Sequence, residues 1–307
     1  MSARTGVKSF WSARGAGSST AYRLATLAPV LVLVAIFTLF PFVYSAVTST
    51  HQVLLTLPDQ TPFIGLQNYL DVLRDSSTQN AIKNTLVFTL LTVPCVTVLG
   101  LAVALLLNQQ IRGFGILRAL VLLPWAIPLV SAGIIWRLLL HGDFGALNGL
   151  LLQLGVVHDY MSWLSSPNLA MYAVALAHIW REFPLPAILF LAGLQLIPGD
   201  IVDASRVDGA GLWARFRNIT LPYLRAPLLI VLVYETMISV SVFDLVYVLT
   251  GGGPGSSTTL FSWYAYATTF TFLNPGQGAA LSFIMAAFLL ALIIMFLRIV
   301  RVDEGEA

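Results

Sequence analysis

The side chains with the most evident chemical potential are charged residues inside long apolar stretches of the sequence. Arg181 and Glu182 lie in one such stretch, and Glu235 and Asp244 lie in the next. A charge at the centre of a hydrocarbon layer costs about 2.5 kcal/mol or more, so such residues pair with one another or face water. The sequence therefore indicates a polar site inside a membrane.

Arg181 and Glu235 are predicted to lie at the same depth in this membrane. Counted from the ends of their stretches at about 1.5 Å per residue, both lie about 16 to 18 Å deep in a core about 30 Å thick. Arg181 is therefore expected to pair with Glu235 or with Glu182, and either a structural ion pair or contact with a solute fits this pattern. Pro184 and Pro186 remove backbone donors just after the charges and predict a kink.

Hydroxyl and aromatic side chains continue along the second charged stretch. With the charges they form the predicted solute cavity, which consists of Arg181, Glu182, Glu235, Ser239, Ser241, Asp244 and Tyr247. Hydroxyls, carboxylates and aromatic faces suit a neutral polyhydroxylated ligand, whereas a phosphodiester needs an unpaired Arg181. The pattern favours a carbohydrate.

No catalytic or metal-binding constellation is recognisable in the sequence. The four histidines, His51, His141, His158 and His178, have no metal-ligand spacing. Neither of the two lysines follows a phosphate-binding glycine loop, and the glycine-rich segment 251–256 lacks a lysine and is expected to be a turn. The chain is therefore predicted not to hydrolyse ATP, not to bind a metal or cofactor and not to be an enzyme.

The composition is that of an integral membrane protein. Of 307 residues, 58% are apolar and 10% are charged, whereas about 25% are charged in soluble domains. This excludes secreted and cytosolic globular proteins, and the single Cys95 excludes an intrachain disulfide framework. The net charge of +2 gives no indication of a nucleic-acid partner.

The elements that must position the charged residues are all-α transmembrane spans of about 20 apolar residues each. Six are predicted, at 24–47, 84–107, 119–140, 169–194, 224–249 and 278–297. The first is free of charge and longer than the apolar region of a signal peptide, which has about 7 to 15 residues, so it is expected to be retained. The predicted organisation is a basic tail over 1–23, the first span, an extracytoplasmic segment over 48–83, a core domain over 84–298 and a second tail over 299–307.

The distribution of Lys and Arg predicts that both termini are cytoplasmic. With the N-terminus inside, 12 of the 16 Lys and Arg residues fall in cytoplasmic segments, and only Arg74 and Lys83 fall in outer ones. The outer segments 48–83, 141–168 and 250–277 are expected to contain short ordered helices.

The longest cytoplasmic loop, 198–222, predicts two short helices that bend around glycine. Asp200 is expected to cap the first helix, Gly209 and Gly211 to break it, and Pro222 to end the loop. Helix chemistry alone favours an amphipathic connector that lies on the bilayer.

The residues of this loop resemble the EAA motif of ABC-importer permeases of the carbohydrate uptake type. The consensus Glu-Ala-Ala, three residues, Gly, nine residues, Ile-x-Leu-Pro matches this sequence in spacing, with Asp203 at the Glu position and Ser205 at the second Ala position. The matching and neighbouring positions are Asp203, Ala204, Ser205, Asp208, Gly209, Ala210, Leu212, Phe216, Ile219, Leu221 and Pro222.

Two further segments, 192–198 and 247–254, are similar to the first permease of maltose and glycerol-phosphate importers. The resemblance implies a type I importer permease fold in a bacterial cytoplasmic membrane. It also implies a second permease, an extracytoplasmic solute-binding protein and two ATPase subunits, which bind ATP and Mg²⁺. The loop is then the coupling helix that docks on an ATPase, and spans four and five line the cavity.

Three alternatives to carbohydrate import are retained. A glycerol-phosphodiester importer belongs to the same class of transporter. A proton-coupled secondary transporter explains Glu182 and Glu235 but leaves the loop unexplained. A structural membrane protein explains neither feature.

Overall fold

The computed structural model describes residues 16–57, 59–109 and 114–299. The tail residues 1–15 and 300–307, and with them most of the predicted basic tail, lie outside this description. In the described part, all regular elements are helices, and a single bridge pairs His51 with Phe63. Contacts divide the chain into two units, Met1–Thr48 and Ser49–Ala307.

The first unit contains one long apolar helix. It runs as α1 (Ala16–Val34), a π-helical turn (Ala35–Leu39) and α2 (Phe40–Ser49). Its apolar part, Ala25–Ser49, is long enough to cross a membrane. This matches the predicted first span.

The second unit holds the remaining helices. They are α3 (Gln67–Arg74), α4 (Ser76–Leu107), α5 (Phe114–Ala126), α6 (Leu129–Leu139), α7 (Ala146–Gln153), α8 (Pro167–Glu182), α9 (Pro184–Gln195), α10 (Gly199–Val207), α11 (Leu212–Arg215), α12 (Leu221–Tyr223), α13 (Arg225–Ser241), α14 (Asp244–Leu249), α15 (Phe261–Tyr266) and α16 (Pro275–Ile299). The π-helical turns Phe216–Thr220 and Ala267–Thr271 follow α11 and α15. The short helices α3, α7 and α15 fall in the three segments 48–83, 141–168 and 250–277, where short helices were expected.

Helix α4 begins at Ser76, earlier than the predicted start at position 84, because Asp75 caps it. The Asp75 carboxylate accepts hydrogen bonds from the Thr78 backbone N–H and the Tyr264 hydroxyl, both at 2.8 Å. Burial raises the pKa of Asp75, but these hydrogen bonds outweigh it and hold the pKa below its ordinary value. The carboxylate therefore stabilises the fold at neutral pH, and that contribution is lost as the pH falls through the lowered pKa.

The third predicted span, 119–140, is wrong as a single helix. Helices α5 and α6 meet at 94°, because Pro128 lacks the backbone N–H that a continuous helix needs and restricts Ile127 before it. Helices α8 and α9 meet at 42° next to Pro184, which confirms the kink predicted there.

The fifth predicted span, 224–249, is also interrupted. Helix α13 ends at Ser241 and α14 begins at Asp244. The Val242 carbonyl accepts a hydrogen bond from the Ser262 hydroxyl instead of from a following helical turn. Before α13, the segment Leu212–Tyr223 meets this helix at 68°.

Helix α4 packs against α8, α9 and α13 and so organises the core. At Gly100, an added Cβ would lie 2.6 Å from the Cβ of Pro186, so only glycine permits this approach of α4 to α9. Apolar clusters around Phe88 and Phe190 fill the space between these helices. The helices α8 and α13, which carry the buried charges, are therefore both held against α4.

Candidate functional site

The loop between α9 and α13 contains the predicted pair of short helices. Helix α10 ends in a reversal in which the Gly209 N–H donates to the Arg206 carbonyl at 3.1 Å and the Ala210 N–H donates to the Ser205 carbonyl at 2.9 Å. Gly209 has φ +73°, the left-handed conformation that this type of helix end requires. The predicted bend is therefore at Gly209, whereas Gly211 has an ordinary extended backbone.

Two details of this loop were predicted wrongly. Asp200 does not cap α10: the cap position is Pro198, and Asp200 lies in the first turn, where its charge still favours the helix N-terminus. Pro222 does not end the helical loop, because α12 continues to Tyr223.

Several apolar side chains of the loop are exposed. Val207, Leu212 and Trp213 are 87%, 81% and 71% exposed, and Trp213 stacks on Phe216 at 5.7 Å. Beside them, Asp203 accepts a hydrogen bond from Arg206 at 2.8 Å. Contiguous exposed apolar side chains rimmed by charges are typical of a surface that meets another molecule.

The structure places the predicted loop residues on consecutive short helices and on the turn between them. Asp203, Ala204 and Ser205 are on α10, Asp208, Gly209 and Ala210 form the turn, Leu212 begins α11, Phe216 and Ile219 lie in the π-helical turn, and Leu221 and Pro222 lie in α12. The Ser205 hydroxyl donates to the Val202 carbonyl at 2.6 Å, so it is bonded within its own helix.

The buried charges form an asymmetric cluster. Arg181 donates from Nη1 to Oε1 of Glu182, and Glu182 is fully buried at the end of α8. Glu235 on α13 is also fully buried, and neither of its carboxylate oxygens has a hydrogen-bond partner within the described part of the chain. Of the two predicted partners for Arg181, the structure therefore selects Glu182.

Two further polar residues in this region were not singled out from the sequence. His178 is fully buried against Phe88 with both ring nitrogens unpartnered, and the Thr236 hydroxyl is buried without a partner among the described residues. His178 lies one helical turn before Arg181, and Thr236 follows Glu235 directly. The sequence signal that could have identified both residues was their position close to the charged residues.

The remaining predicted cavity residues fall into a buried and an exposed group. Ser239 is buried and its hydroxyl lies 2.8 Å from that of Thr92 on α4. Ser241 is exposed at the end of α13, Asp244 is half-buried at the start of α14, and Tyr247 is 56% exposed. The predicted set therefore extends from the helix interior to an accessible surface at the break in span five.

An all-helical bundle with long apolar helices, interior charges and an exposed two-helix loop is the architecture of a membrane transport subunit. Residues 78–302 match the family described as "Binding-protein-dependent transport system inner membrane component". The chain belongs to this family, whose members are the inner-membrane permease components of such transport systems and not their ATPases.

Relatives extend this match over nearly the whole chain. The trehalose/maltose transport system permease protein MalF of Thermococcus litoralis is 37% identical over 89% of this chain and 91% of its own length. The sulfoquinovosyl glycerol transport system permease protein SmoG of Agrobacterium fabrum is 37% identical over 91% of this chain and 90% of its own length.

A solved structure has the same fold. It is a bacterial alginate ABC transporter in complex with an alginate pentasaccharide-bound periplasmic protein. One of its chains aligns with a TM-score of 0.80 over 92% of this chain and 95% of that chain, at 21% identity. The chain therefore has the fold of an ABC-importer permease, as the sequence predicted.

Proposed function

We propose that this chain is the transmembrane permease subunit of an ATP-driven importer for a di- or oligosaccharide or a related polyol. The relatives at 37% identity are named for transport of trehalose and maltose and of sulfoquinovosyl glycerol, and all three are glycosides. An extracytoplasmic binding protein delivers the solute, and a second permease completes the cavity.

Within the site, the Arg181–Glu182 ion pair is the observation that favours a neutral ligand. A phosphodiester needs a cation with no other partner, whereas Arg181 is already bonded to a fully buried carboxylate. This supports a carbohydrate over a glycerol phosphodiester. The solute cavity then consists of the predicted residues, which are Arg181, Glu182, Glu235, Ser239, Ser241, Asp244 and Tyr247.

The exposed loop from α10 to α12 couples this chain to ATP hydrolysis. Its apolar side chains at Val207, Leu212 and Trp213 enter a groove of an ATPase subunit, and Asp203 and Arg206 provide charges at the rim. The ATPase subunits bind ATP and Mg²⁺, and this chain binds no cofactor. Closure of the two ATPases draws the two permease loops together and opens the cavity outward.

The chain crosses the bacterial inner membrane six times, with both termini in the cytoplasm. The bent pairs α5–α6 and α8–α9 are each counted as one span, and α13 together with α14 is counted as another. Positive charge concentrated in the cytoplasmic segments supports this orientation.

Reporter fusions test the topology. Fusions after Asp71, Asp159 and Pro254 are expected to report outside, and a fusion after Arg215 is expected to report inside. If α5 and α6 form a re-entrant loop instead of a span, the Asp159 fusion reports inside and the Arg215 fusion reports outside. That pair of results would overturn both the six-span count and the assignment of the coupling loop.

Co-purification and uptake together test the function. The chain is expected to purify with a second permease and an ATPase, and proteoliposomes of this complex are expected to take up a labelled disaccharide only with binding protein outside and ATP inside. Uptake driven by a pH gradient without ATP would instead support a proton-coupled transporter. An assembled complex that transports glycerophosphodiesters but no sugar would refute the carbohydrate assignment.

A further inference from the structure

The glycine-rich segment 251–256 borders an open cavity of about 440 Å³ that takes no part in the proposed coupling or in the mid-membrane cluster. Ser77 and Asn80 at the start of α4 also line this cavity. Three aromatic residues, Trp263, Tyr264 and Phe272, and the hydroxyl residue Thr259 complete the lining. The volume lies within the range of about 300 to 1,000 Å³ that is typical of small-molecule sites.

Hydrogen bonds to buried threonines hold the glycine segment in place. The Thr258 hydroxyl donates to the Gly253 carbonyl at 2.6 Å, and the Thr259 hydroxyl donates to the Gly252 carbonyl at 2.9 Å. Both threonines are buried. The backbone wall of the cavity is therefore preorganised, which lowers the entropic cost of binding a ligand.

Gly252 must be glycine for the cavity to have this shape. Its φ is +87°, and an added Cβ would lie 3.0 Å from the Trp263 ring and 2.9 Å from the Thr259 hydroxyl oxygen. The backbone thus packs directly on the indole. A side chain here would push the loop away from the aromatic wall.

Two asparagines anchor the same loop carbonyl, but only one of them lines the cavity. Asn80 and Asn84 both donate from Nδ2 to the Ser256 carbonyl, at 3.1 and 2.9 Å. Asn84 also donates to the Thr259 carbonyl at 3.2 Å and is not a lining residue. The Asn80 amide also has an oxygen acceptor and a second N–H, which a ligand can use.

The chemistry of the walls selects a neutral polyhydroxylated ligand. None of the residues that line the cavity is charged, so it offers no ion-pair partner to an anion, a cation or an acidic peptide. Aromatic faces cover the apolar C–H faces of a ring, and amide, hydroxyl and backbone groups bond its hydroxyls.

We propose that this cavity is a carbohydrate-binding site on the extracytoplasmic side, separate from the mid-membrane charges. It rests on the proposed function, because it receives the same class of solute that the binding protein delivers. This site would hold a sugar at the mouth of the permease before the solute reaches the interruption between α13 and α14.

Saturation-transfer NMR on the complete complex in nanodiscs, without binding protein or ATP, tests the site with maltose and trehalose as probes. The wild-type complex is expected to give a saturable signal with at least one of them. Asn80→Ala and Phe272→Ala are each expected to weaken sugar binding about tenfold, because each removes one contact with the ligand.

Matched variants separate ligand contact from anchoring of the loop. Asn84→Ala removes a bond to the same carbonyl, and Phe270→Ala removes an exposed ring two residues from Phe272, so both are expected to bind like wild type. Equal losses in Asn80→Ala and Asn84→Ala, or no signal with either sugar in the wild type, would overturn the proposal. So would weaker docking of the binding protein to Asn80→Ala with an unchanged sugar signal, since the cavity would then receive a protein segment.

Uptake of the same sugars distinguishes the two proposals. If the wild-type complex transports one of them but Asn80→Ala binds it normally, only the outer site is refuted. If the assembled complex transports no sugar, the proposed function itself fails.

Discussion

Gly209→Val is expected to reduce ATP-dependent transport about tenfold or more while the chain still folds and inserts. Apart from its chain neighbours, no atom of the described residues lies within 4 Å of the position that a Cβ would occupy, so the substitution causes no clash there. Its effect comes from φ +73°, which costs an L-residue roughly 1 to 2 kcal/mol and a β-branched residue more. The loop escapes this strain by losing the reversal after α10, and the exposed apolar side chains on its two sides no longer form one surface. The measurements are uptake into proteoliposomes and ATPase activity stimulated by the loaded binding protein.

Gly211→Val is the matched control for this prediction. Gly211 also has open space around it, but its φ of −65° and ψ of 168° are accessible to any residue. We expect near wild-type transport from Gly211→Val and an intermediate loss from Gly209→Asn, because asparagine tolerates the left-handed region. Normal transport by Gly209→Val at normal expression would show that this turn does not transmit the energy of ATP hydrolysis.

Arg181→Met is expected to lower the yield of assembled complex severely. It leaves Glu182, which is fully buried, without its ion partner. Removing one member of a buried pair costs about 3 to 5 kcal/mol, comparable with much of the stability of a domain. The measurement is the amount of monodisperse complex recovered in detergent, with uptake as the second readout.

Second-site variants identify the partner of Arg181. Arg181→Met with Glu182→Gln is expected to restore assembly, whereas Arg181→Met with Glu235→Gln is not, since Glu235 is not bonded to Arg181. Arg137→Met is the control, because Arg137 is exposed and donates only to the Val248 carbonyl. Restored assembly without transport would make the pair part of the solute cavity, and restoration of both would make it structural. Normal assembly of the single Arg181→Met variant would contradict the pairing.

Features that depend on short stretches of sequence were predictable. Apolar length identified the three unbroken helices of the described part that are long enough to cross a membrane, because crossing a hydrocarbon layer requires a fixed number of consecutive apolar residues. The spacing of Asp203, Gly209 and Pro222 identified the loop and the family. Pro184 predicted the kink between α8 and α9, since a missing N–H and a ring clash act within one turn.

The tertiary structure decided what depends on the packing of distant segments. The sequence did not reveal that α13 ends at Ser241, because that end depends on a hydrogen bond from Ser262 on another helix. The sequence did not decide between Glu182 and Glu235 as the partner of Arg181. Adjacent residues on a regular helix do not face each other, but α8 ends at Glu182 and the two side chains bond there. Nor did the sequence reveal the cavity beside the glycine segment, which is also lined by residues of α4 and α15. Hydrophobic length and turn chemistry are local properties of the chain, whereas ion-pair partners, helix interruptions and cavities arise only when segments far apart in sequence come into contact.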